Sequence, residues 1–336
     1  MNNDVTQTKS DFFTHGGDPA GAEARFGMPK NGWLDLSTGI NAVPYALPVM
    51  PLEILHRLPL AQDMDGLLLA AQEVYGVADK NLIVASPGTQ ALIQLIPTIF
   101  ESSAVEIVSP TYGEHVTAWR KAGHKVNEVS QITNSARYAL VVNPNNPDGN
   151  VYTPQNLLAL ADQLYSRGGA LIVDEAFADV VPELSVTFQA EHPGLIVLRS
   201  FGKFYGLAGV RLGFAICAPA LAKKIASKLG PWAVSGPAIW AGTEALNDQI
   251  WRKSTRNRLK IDASRMDDVL FNAGFEIVGG TDLFRLGQSA KAWEIFEKLG
   301  NAGILTRPFS YRGNWLRFGL PGCEGDWQRL SAALEL

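Results

Sequence analysis

The chain of 336 residues has little of what marks several specialised classes of protein. It contains only two cysteines, Cys217 and Cys323, in no metal-binding spacing, so no disulfide framework is expected. No run of about 18 apolar residues occurs, so no transmembrane helix and no membrane partner is expected. The net charge of −4 offers no general attraction for nucleic acid or for an anionic membrane surface.

The N-terminus also lacks a secretion signal. Residues 1–13 are polar and include Asp4 and Asp11, whereas a secretion signal begins with basic residues and continues as an apolar segment. We therefore predict a cytoplasmic protein. The apolar fraction of 46% and the charged fraction of 18% fit a globular enzyme with one large core and a smaller second domain.

Short apolar runs and helical segments alternate along most of the chain. Residues 1–60 are rich in Gly, Pro and Asn and are predicted to form an irregular arm, which needs another surface to lie on. The later apolar runs, typical of buried strands, are residues 81–85, 105–108, 139–142, 170–173, 195–198 and 211–217. This alternation predicts an α/β fold with a mainly parallel sheet and helices on both faces.

A lysine lies in a glycine-rich loop after one of these runs. Residues 200–213 read SFGKFYGLAGVRLG, with Lys203 in the loop and Arg211 eight residues later. Glycines let the backbone approach a ligand closely, and a nearby cation lowers the pKa of a nucleophilic lysine. An arginine can also hold a phosphate through two parallel hydrogen bonds. Lys203 alone would fit an ordinary surface loop, but the whole string favours a ligand site.

An aspartate ends the apolar run ALIVD at residues 170–174. An acid at the carboxyl end of a buried strand points into the crevice where α/β proteins bind ligands. An aspartate after a buried strand, like Asp174, is also typical of nucleoside triphosphatases. Such a protein would need the loop GxxxxGK[ST], which this sequence lacks. The other alternative is a structural cap.

Three further motifs stand out, of which the first is by itself an ordinary turn and the other two suit a ligand. Residues 143–149, NPNNPDG, predict a turn after a strand. Residues 86–90, SPGTQ, join a strand to a helix, where free backbone N–H groups suit a phosphate. Arg317 lies inside the apolar string WLRFG, residues 315–319, where an arginine needs an acidic partner or a cleft.

Taken in their order along the chain, the motifs resemble those of the class I and II aminotransferases, which use pyridoxal 5′-phosphate (PLP). The resemblance covers roughly residues 60–320. It implies the type I PLP-dependent transferase fold, with a seven-stranded sheet in a large domain of residues 61–245. A small α+β domain of residues 246–336 would carry the arm. The cofactor-binding residues that the resemblance implies are Gly88, Thr89, Tyr112, Asn146, Asp174, Ser200, Lys203 and Arg211.

By the same resemblance, three residues are expected to be catalytic. Lys203 would hold PLP covalently, Asp174 would keep the pyridine nitrogen protonated, and Tyr112 would stack on the ring. Asn146 would bond the 3′ oxygen of the cofactor and contact the substrate. Phe177 stands where many relatives have a tyrosine, and this departure indicates a particular branch of the family.

The arm indicates the same branch. HGG at residues 15–17 and LDLSTGIN at residues 34–41 resemble the start of the threonine-phosphate decarboxylases, whose arm helps to hold the substrate phosphate. The substrate-binding residues implied are His15, Thr38, Gly39, Asn146, Arg307 and Arg317. For His15 and Arg307 the alternative is an ordinary surface position. Arg57 stands where many relatives carry a tyrosine for the partner subunit's cofactor phosphate.

The resemblance implies PLP-dependent decarboxylation of L-threonine O-3-phosphate to (R)-1-amino-2-propanol O-2-phosphate in cobalamin biosynthesis. It also implies a homodimer and a small phosphorylated amino acid as the substrate. Because the same residues support transamination, a histidinol-phosphate or other amino-acid aminotransferase is the alternative. A catalytically silent binding protein is a third reading, against which Lys203, Asp174 and Arg211 argue.

Overall fold

The computed structural model describes residues 15–133 and 135–335. The part of the predicted arm before residue 15 lies outside this range. The chain forms two compact units. Of these described residues, we call those in the range 44–254 the central unit, and residues 15–43 together with residues 255–335 the terminal unit. The central unit ends at residue 254, whereas the large domain was predicted to end at residue 245.

Strands account for most of the sequence runs identified above. In chain order they are β1 (Leu34–Asp35), β2 (Ile83–Ser86), β3 (Ala104–Val108), β4 (Lys125–Val129), β5 (Tyr138–Val142), β6 (Ala170–Asp174), β7 (Leu195–Ser200), β8 (Gly213–Cys217), β9 (Glu276–Thr281), β10 (Phe284–Gln288), β11 (Ile304–Leu305), β12 (Arg307–Pro308) and β13 (Trp315–Gly319).

The α-helices occupy most of the segments between strands. In chain order they are α1 (Pro19–Phe26), α2 (Glu53–His56), α3 (Ala61–Tyr75), α4 (Thr89–Leu95), α5 (Glu114–Lys121), α6 (Pro154–Tyr165), α7 (Phe201–Phe204), α8 (Pro219–Leu229), α9 (Gly236–Asn247), α10 (Gln249–Asn272), α11 (Ala292–Asn301) and α12 (Glu324–Leu334). Among the described residues, no helix is both long and apolar enough to cross a lipid bilayer.

The central unit is built on a seven-stranded sheet with the order β2-β8-β7-β6-β5-β3-β4. The pairs from β7 through β6, β5 and β3 to β4 are parallel, whereas β8 runs antiparallel to both of its neighbours. The predicted mainly parallel seven-stranded sheet is therefore confirmed. Because parallel strands end at one edge, the carboxyl ends of β5, β6 and β7 bring their following residues together there.

The sheet is buried on both faces, which explains why its central strands read as continuous apolar runs. Every residue of β5, β6, β7 and β8 is buried. One face packs Ile172 and Leu198 into a core with Trp119 of α5 and Leu92 of α4. This packing fixes the strand ends on which several of the predicted cofactor residues lie.

The terminal unit contains two smaller sheets. One has the order β12-β13-β10-β9 and is antiparallel throughout, and the other pairs β1 with β11 in parallel. The arm is less irregular than predicted, since it includes α1, β1 and α2. Helix α1 begins because Pro19 follows the cap Asp18, whose carboxylate accepts a hydrogen bond of 2.9 Å from Gly21 N.

Candidate active site

Lys203 lies on the one-turn helix α7, directly after β7. Aromatic rings hold this helix: the rings of Phe201 and Tyr205 stack with their centroids 4.5 Å apart, and Tyr205 stacks on Trp251 at 5.6 Å. The Lys203 ammonium lies 5.8 Å from the centroid of the Phe177 ring. The lysine is thus presented from a rigid element and faces an aromatic surface that attracts its charge.

The predicted phosphate-binding residues come together where β2 pairs with β8. Gly88 has φ +82°, and a Cβ built on it would lie 2.4 Å from Nη2 of Arg211. A Cβ on Gly213 would lie 2.6 Å from the backbone nitrogen of Thr89. Glycine is required at both positions, because any side chain would push the arginine or the turn away. The turn before α4 and the Arg211 guanidinium therefore form one cradle.

Asp174 ends β6 and is 3% exposed. Its Oδ2 lies 2.8 Å from Nε2 of His115, and its Oδ1 accepts a hydrogen bond of 3.0 Å from Ala176 N. Ser200 ends the neighbouring strand, two residues beyond Leu198, which pairs with Asp174. Because side chains alternate along a strand, Asp174 and Ser200 lie on the same face of the sheet.

His115 is a site residue that the sequence analysis missed. It is 1% exposed, and the only signal for it was its place at the start of α5, three residues after Tyr112. A lone histidine more often belongs to a core. Here the short contact with Asp174 gives it a function, since it fixes the orientation of that carboxylate.

Tyr112 is partly buried, and its hydroxyl donates a hydrogen bond of 3.3 Å to Oε1 of Gln90. Burial raises the pKa of Tyr112 to about 12, assisted by Glu114 and Asp174 and opposed by Arg211. The phenol therefore stays protonated throughout the physiological range. Both Asp174 and Arg211 act on it electrostatically, as expected if all three belong to one site.

The turn after β5 contains three asparagines whose side chains differ in burial and in hydrogen bonding. Asn143 is fully buried, and its Oδ1 accepts a hydrogen bond of 2.8 Å from Tyr152 N. Asn145 donates to Pro110 O at 3.0 Å and accepts from the Thr111 hydroxyl at 2.7 Å. These two asparagines hold the turn together, whereas Asn146, the predicted ligand, is only partly buried.

The terminal unit holds a second group of predicted residues. Arg307 and Arg317 stand opposite each other across the β12–β13 pair. Arg317 is 6% exposed and donates a hydrogen bond of 2.7 Å to Ser37 O. Burial, followed by the neighbouring Arg307, lowers the pKa of Arg317 to about 9, and burial likewise lowers the pKa of Arg307. A cation whose charge is disfavoured by burial, or by burial and a neighbouring cation, would be stabilised by a bound anion.

His15 and Arg307 line the same small cavity of the terminal unit, together with Ser37 and Thr306. The Ser37 hydroxyl accepts a hydrogen bond of 2.7 Å from Gly17 N, which joins the HGG segment to the segment that follows β1. Thr306 was not predicted. It is 1% exposed, and within residues 15–133 and 135–335 its hydroxyl has no hydrogen-bond partner. A buried hydroxyl in this state can bond a ligand.

Thr38 and Gly39 follow Ser37 but are placed differently. Thr38 is partly buried, and its carbonyl oxygen would lie 2.5 Å from a Cβ on Gly319. Gly39 is buried. Neither residue is among those that line the cavity of His15 and Arg307. Arg57, in the central unit, forms a two-pronged ion pair with Asp63, with Nη2 3.1 Å from Oδ1.

Comparison with known proteins agrees with this geometry. Residues 61–333 match the family "Aminotransferase class I and II". The chain therefore belongs to the class I and II aminotransferase family. Within it, threonine-phosphate decarboxylases of Pseudomonas aeruginosa and of a Sinorhizobium species are each 43% identical to this chain. The alignments span 325 and 326 residues, which is 95% of this chain in both cases and 96% and 97% of the relatives.

More distant relatives and solved structures extend the comparison. The histidinol-phosphate aminotransferase of Baumannia cicadellinicola is 28% identical over 259 residues, 71% of this chain and 69% of that protein. The histidinol-phosphate aminotransferase of Sinorhizobium meliloti, solved with pyridoxal 5′-phosphate, superposes with a TM-score of 0.78 at 19% identity. The superposition covers 99% of this chain and 97% of the Sinorhizobium meliloti protein. At that identity the likeness concerns the fold alone.

Proposed function

We propose that this protein is a PLP-dependent decarboxylase that converts L-threonine O-3-phosphate to (R)-1-amino-2-propanol O-2-phosphate for cobalamin biosynthesis. The observation that carries the proposal is the 43% identity to threonine-phosphate decarboxylases over 95% of the chain. The central unit adds support, because it holds a lysine, a buried carboxylate and a glycine–arginine cradle on one sheet edge.

The residues present fit the cofactor. Gly88 leaves just enough room for the Arg211 guanidinium, which with Thr89 and Ser200 would hold the cofactor phosphate. The buried Asp174, held by His115, would face the pyridine nitrogen. When bound, PLP supplies an electron sink for the bond that breaks at the substrate's α-carbon.

The remaining candidate residues of the central unit would position the cofactor and the substrate, and one of them would move protons. Lys203 would hold the cofactor between turnovers and donate a proton to the substrate's α-carbon in place of the carboxylate that has left as carbon dioxide. Tyr112, protonated at neutral pH, would cover one face of the ring, and Asn146 would contact the 3′ oxygen and the substrate. Phe177 keeps the surroundings of Lys203 apolar.

The terminal unit would bind the two anionic groups of the substrate. Arg317 would hold the α-carboxylate, and its fixed bond to Ser37 O keeps the guanidinium in one orientation. Arg307 and His15 would hold the phosphate, with Thr38 and Gly39 shaping the same segment of the arm. Support for this division comes from the two lowered arginine pKa values, since an anion would restore both.

We also propose a cytoplasmic homodimer. The central unit exposes a row of apolar side chains ahead of α3, among them Val49 at 96% exposure and Leu52 at 68%. Such a row favours burial against another protein surface. The cytoplasmic location rests on the sequence alone.

The proposal is tested by incubating the PLP-loaded protein with L-threonine O-3-phosphate and measuring carbon dioxide. A parallel reaction contains histidinol phosphate and 2-oxoglutarate, and Lys203→Ala serves as the blank. We expect carbon dioxide from the first reaction, absent with Lys203→Ala. Glutamate formed in the second reaction without carbon dioxide in the first would replace the proposal with an aminotransferase function.

A further inference from the structure

A group of buried charges lies next to the cofactor residues but takes no part in the chemistry above. Glu175, Asp179 and Arg199 are 0%, 1% and 2% exposed. Nη1 of Arg199 lies 3.0 Å from Oε2 of Glu175, and its Nη2 lies 2.6 Å from Oδ1 of Asp179. We call these three residues the buried triad. Glu175 follows Asp174 directly, and Arg199 directly precedes Ser200.

The buried triad lies on the opposite face of the sheet from the cofactor residues. Successive side chains of a strand point to opposite faces, so Arg199 points away from Ser200 and Glu175 away from Asp174. The pairing of Asp174 with Leu198 places the ends of β6 and β7 side by side. The Arg199 fork therefore joins the two strand ends from behind the cofactor site.

Further contacts anchor the triad to two other segments. Glu175 accepts hydrogen bonds from the Ser185 hydroxyl at 2.5 Å and from Val186 N at 2.8 Å. The Arg199 guanidinium lies 4.5 Å from the centroid of the Tyr75 ring, at the end of α3. Asp179 belongs to the short 3₁₀ turn Ala178–Val180. The positions of Asp174 and Ser200 are thus tied to a framework well outside the cofactor cradle.

Stability alone explains this arrangement poorly. Burial disfavours the charge on Arg199, yet Asp179 and Glu175 outweigh it, and the pKa of Arg199 is raised. Two acids face one base, and within the described part of the chain Nε of Arg199 has no hydrogen-bond acceptor. Apolar side chains of equal volume often stabilise a core as well as such an ion network does. A fork that bonds two carboxylates at once does, however, fix geometry.

We propose that the Glu175–Arg199–Asp179 triad is a positioning device, which sets the ends of β6 and β7 so that Asp174 and Ser200 meet the cofactor correctly. The inference rests on the proposed function. None of the three residues touches the reacting groups, so they are positioning residues. Arg199→Lys keeps the charge but removes the planar fork, and one ammonium cannot reproduce both bonds in the same geometry.

The test measures PLP binding by cofactor-free protein, together with the pH dependence of the bound cofactor's absorbance. We expect Arg199→Lys to weaken PLP binding by about 10- to 100-fold, as loss of an outer-shell partner does at other sites, and to shift the absorbance midpoint. Leu157→Ala, a buried position in α6 of the same unit, is the control for lowered thermal stability. It should bind PLP as the wild type does.

A second variant keeps the test decisive if Arg199→Lys does not fold. Glu175→Gln preserves the volume and leaves one acid facing one base, and the same changes in PLP binding and absorbance are expected from it. Variants of the triad that lose stability but bind PLP like Leu157→Ala would overturn the inference. A wild-type protein that binds no PLP would instead overturn the proposed function, and the inference with it.

Discussion

The candidate cofactor residues of the central unit and the candidate substrate residues of the terminal unit are held in different ways. Asp174 is fixed by His115 and by Ala176 N, and Arg211 by a 3.0 Å bond to Ala208 O and by its contact with Gly88. Arg307 and Arg317 instead concentrate like charge on two adjacent strands. The first arrangement suits a group that stays bound, and the second suits an anion that arrives and leaves.

The largest expected effect concerns Asp174. Asp174→Asn removes the charge proposed to face the pyridine nitrogen and should lower kcat about a hundredfold or more. His115→Phe leaves the charge but not its orientation, and we expect a loss of about tenfold. Steady-state carbon dioxide release measures both. Equal losses in the two variants would mean that the carboxylate's position matters as much as its charge.

In the terminal unit, Arg317→Lys should act on substrate binding. Replacing the fork by a single ammonium costs about 1.5–3 kcal/mol, so kcat/KM should fall about 10- to 160-fold. Cofactor affinity should be unchanged. Arg265→Lys, at an exposed ion pair with Glu324 in the same unit, is the matched control. If Arg317→Lys reduced PLP affinity and left KM unaltered, the assignment of Arg317 to substrate binding would be contradicted.

Inorganic phosphate should stabilise the folded protein. Burial lowers the pKa of Arg307, and a base whose pKa falls on folding destabilises the folded state at every pH at which it is charged there. A bound anion reverses that cost. At ten times its Kd, phosphate should add about 1.4 kcal/mol to the free energy of unfolding. Thermal unfolding with and without phosphate measures this. The gain should be lost in Arg307→Met and retained in Arg265→Met.

The smallest effect is expected at Thr306. A neutral hydrogen bond contributes about 1 kcal/mol, so Thr306→Val should raise KM about fivefold if the buried hydroxyl bonds the substrate. Thr306→Ser should restore the wild-type value. An unchanged KM in Thr306→Val would show that this hydroxyl contributes nothing to substrate binding.

Much of the fold of the central unit could be predicted, and its candidate cofactor residues lie in strings with distinctive spacing. The apolar runs located β5 to β8, and the parallel arrangement followed from the alternation with helices. His115 escaped prediction because its partner, Asp174, lies 59 residues away, and one histidine in a helix carries no signal of its own. The buried triad escaped for the same reason, since Arg199 and Glu175 look like ordinary charged neighbours of motif residues.

Other differences have local physical causes. Strand β4, KVNEV, lies at the sheet edge with exposed polar positions, so it lacks the apolar run that revealed its neighbours. Helices α9 and α10 are separate because Asp248 leaves helical geometry, and its carboxylate accepts a hydrogen bond of 2.8 Å from Trp251 N. The Thr306 hydroxyl could not be predicted, since burial of a single threonine depends on the tertiary fold.

Because Tyr205 stacks on Trp251, the fluorescence of the Trp251 indole can report on the helix that carries Lys203. Trp251 also meets the Phe204 ring, with 5.5 Å between the centroids, so its indole shares the rigid surroundings of Lys203. If PLP binds as proposed, excitation energy would pass from this indole to the bound chromophore. Cofactor loading could then be followed by emission quenching in real time, in the absence of any substrate.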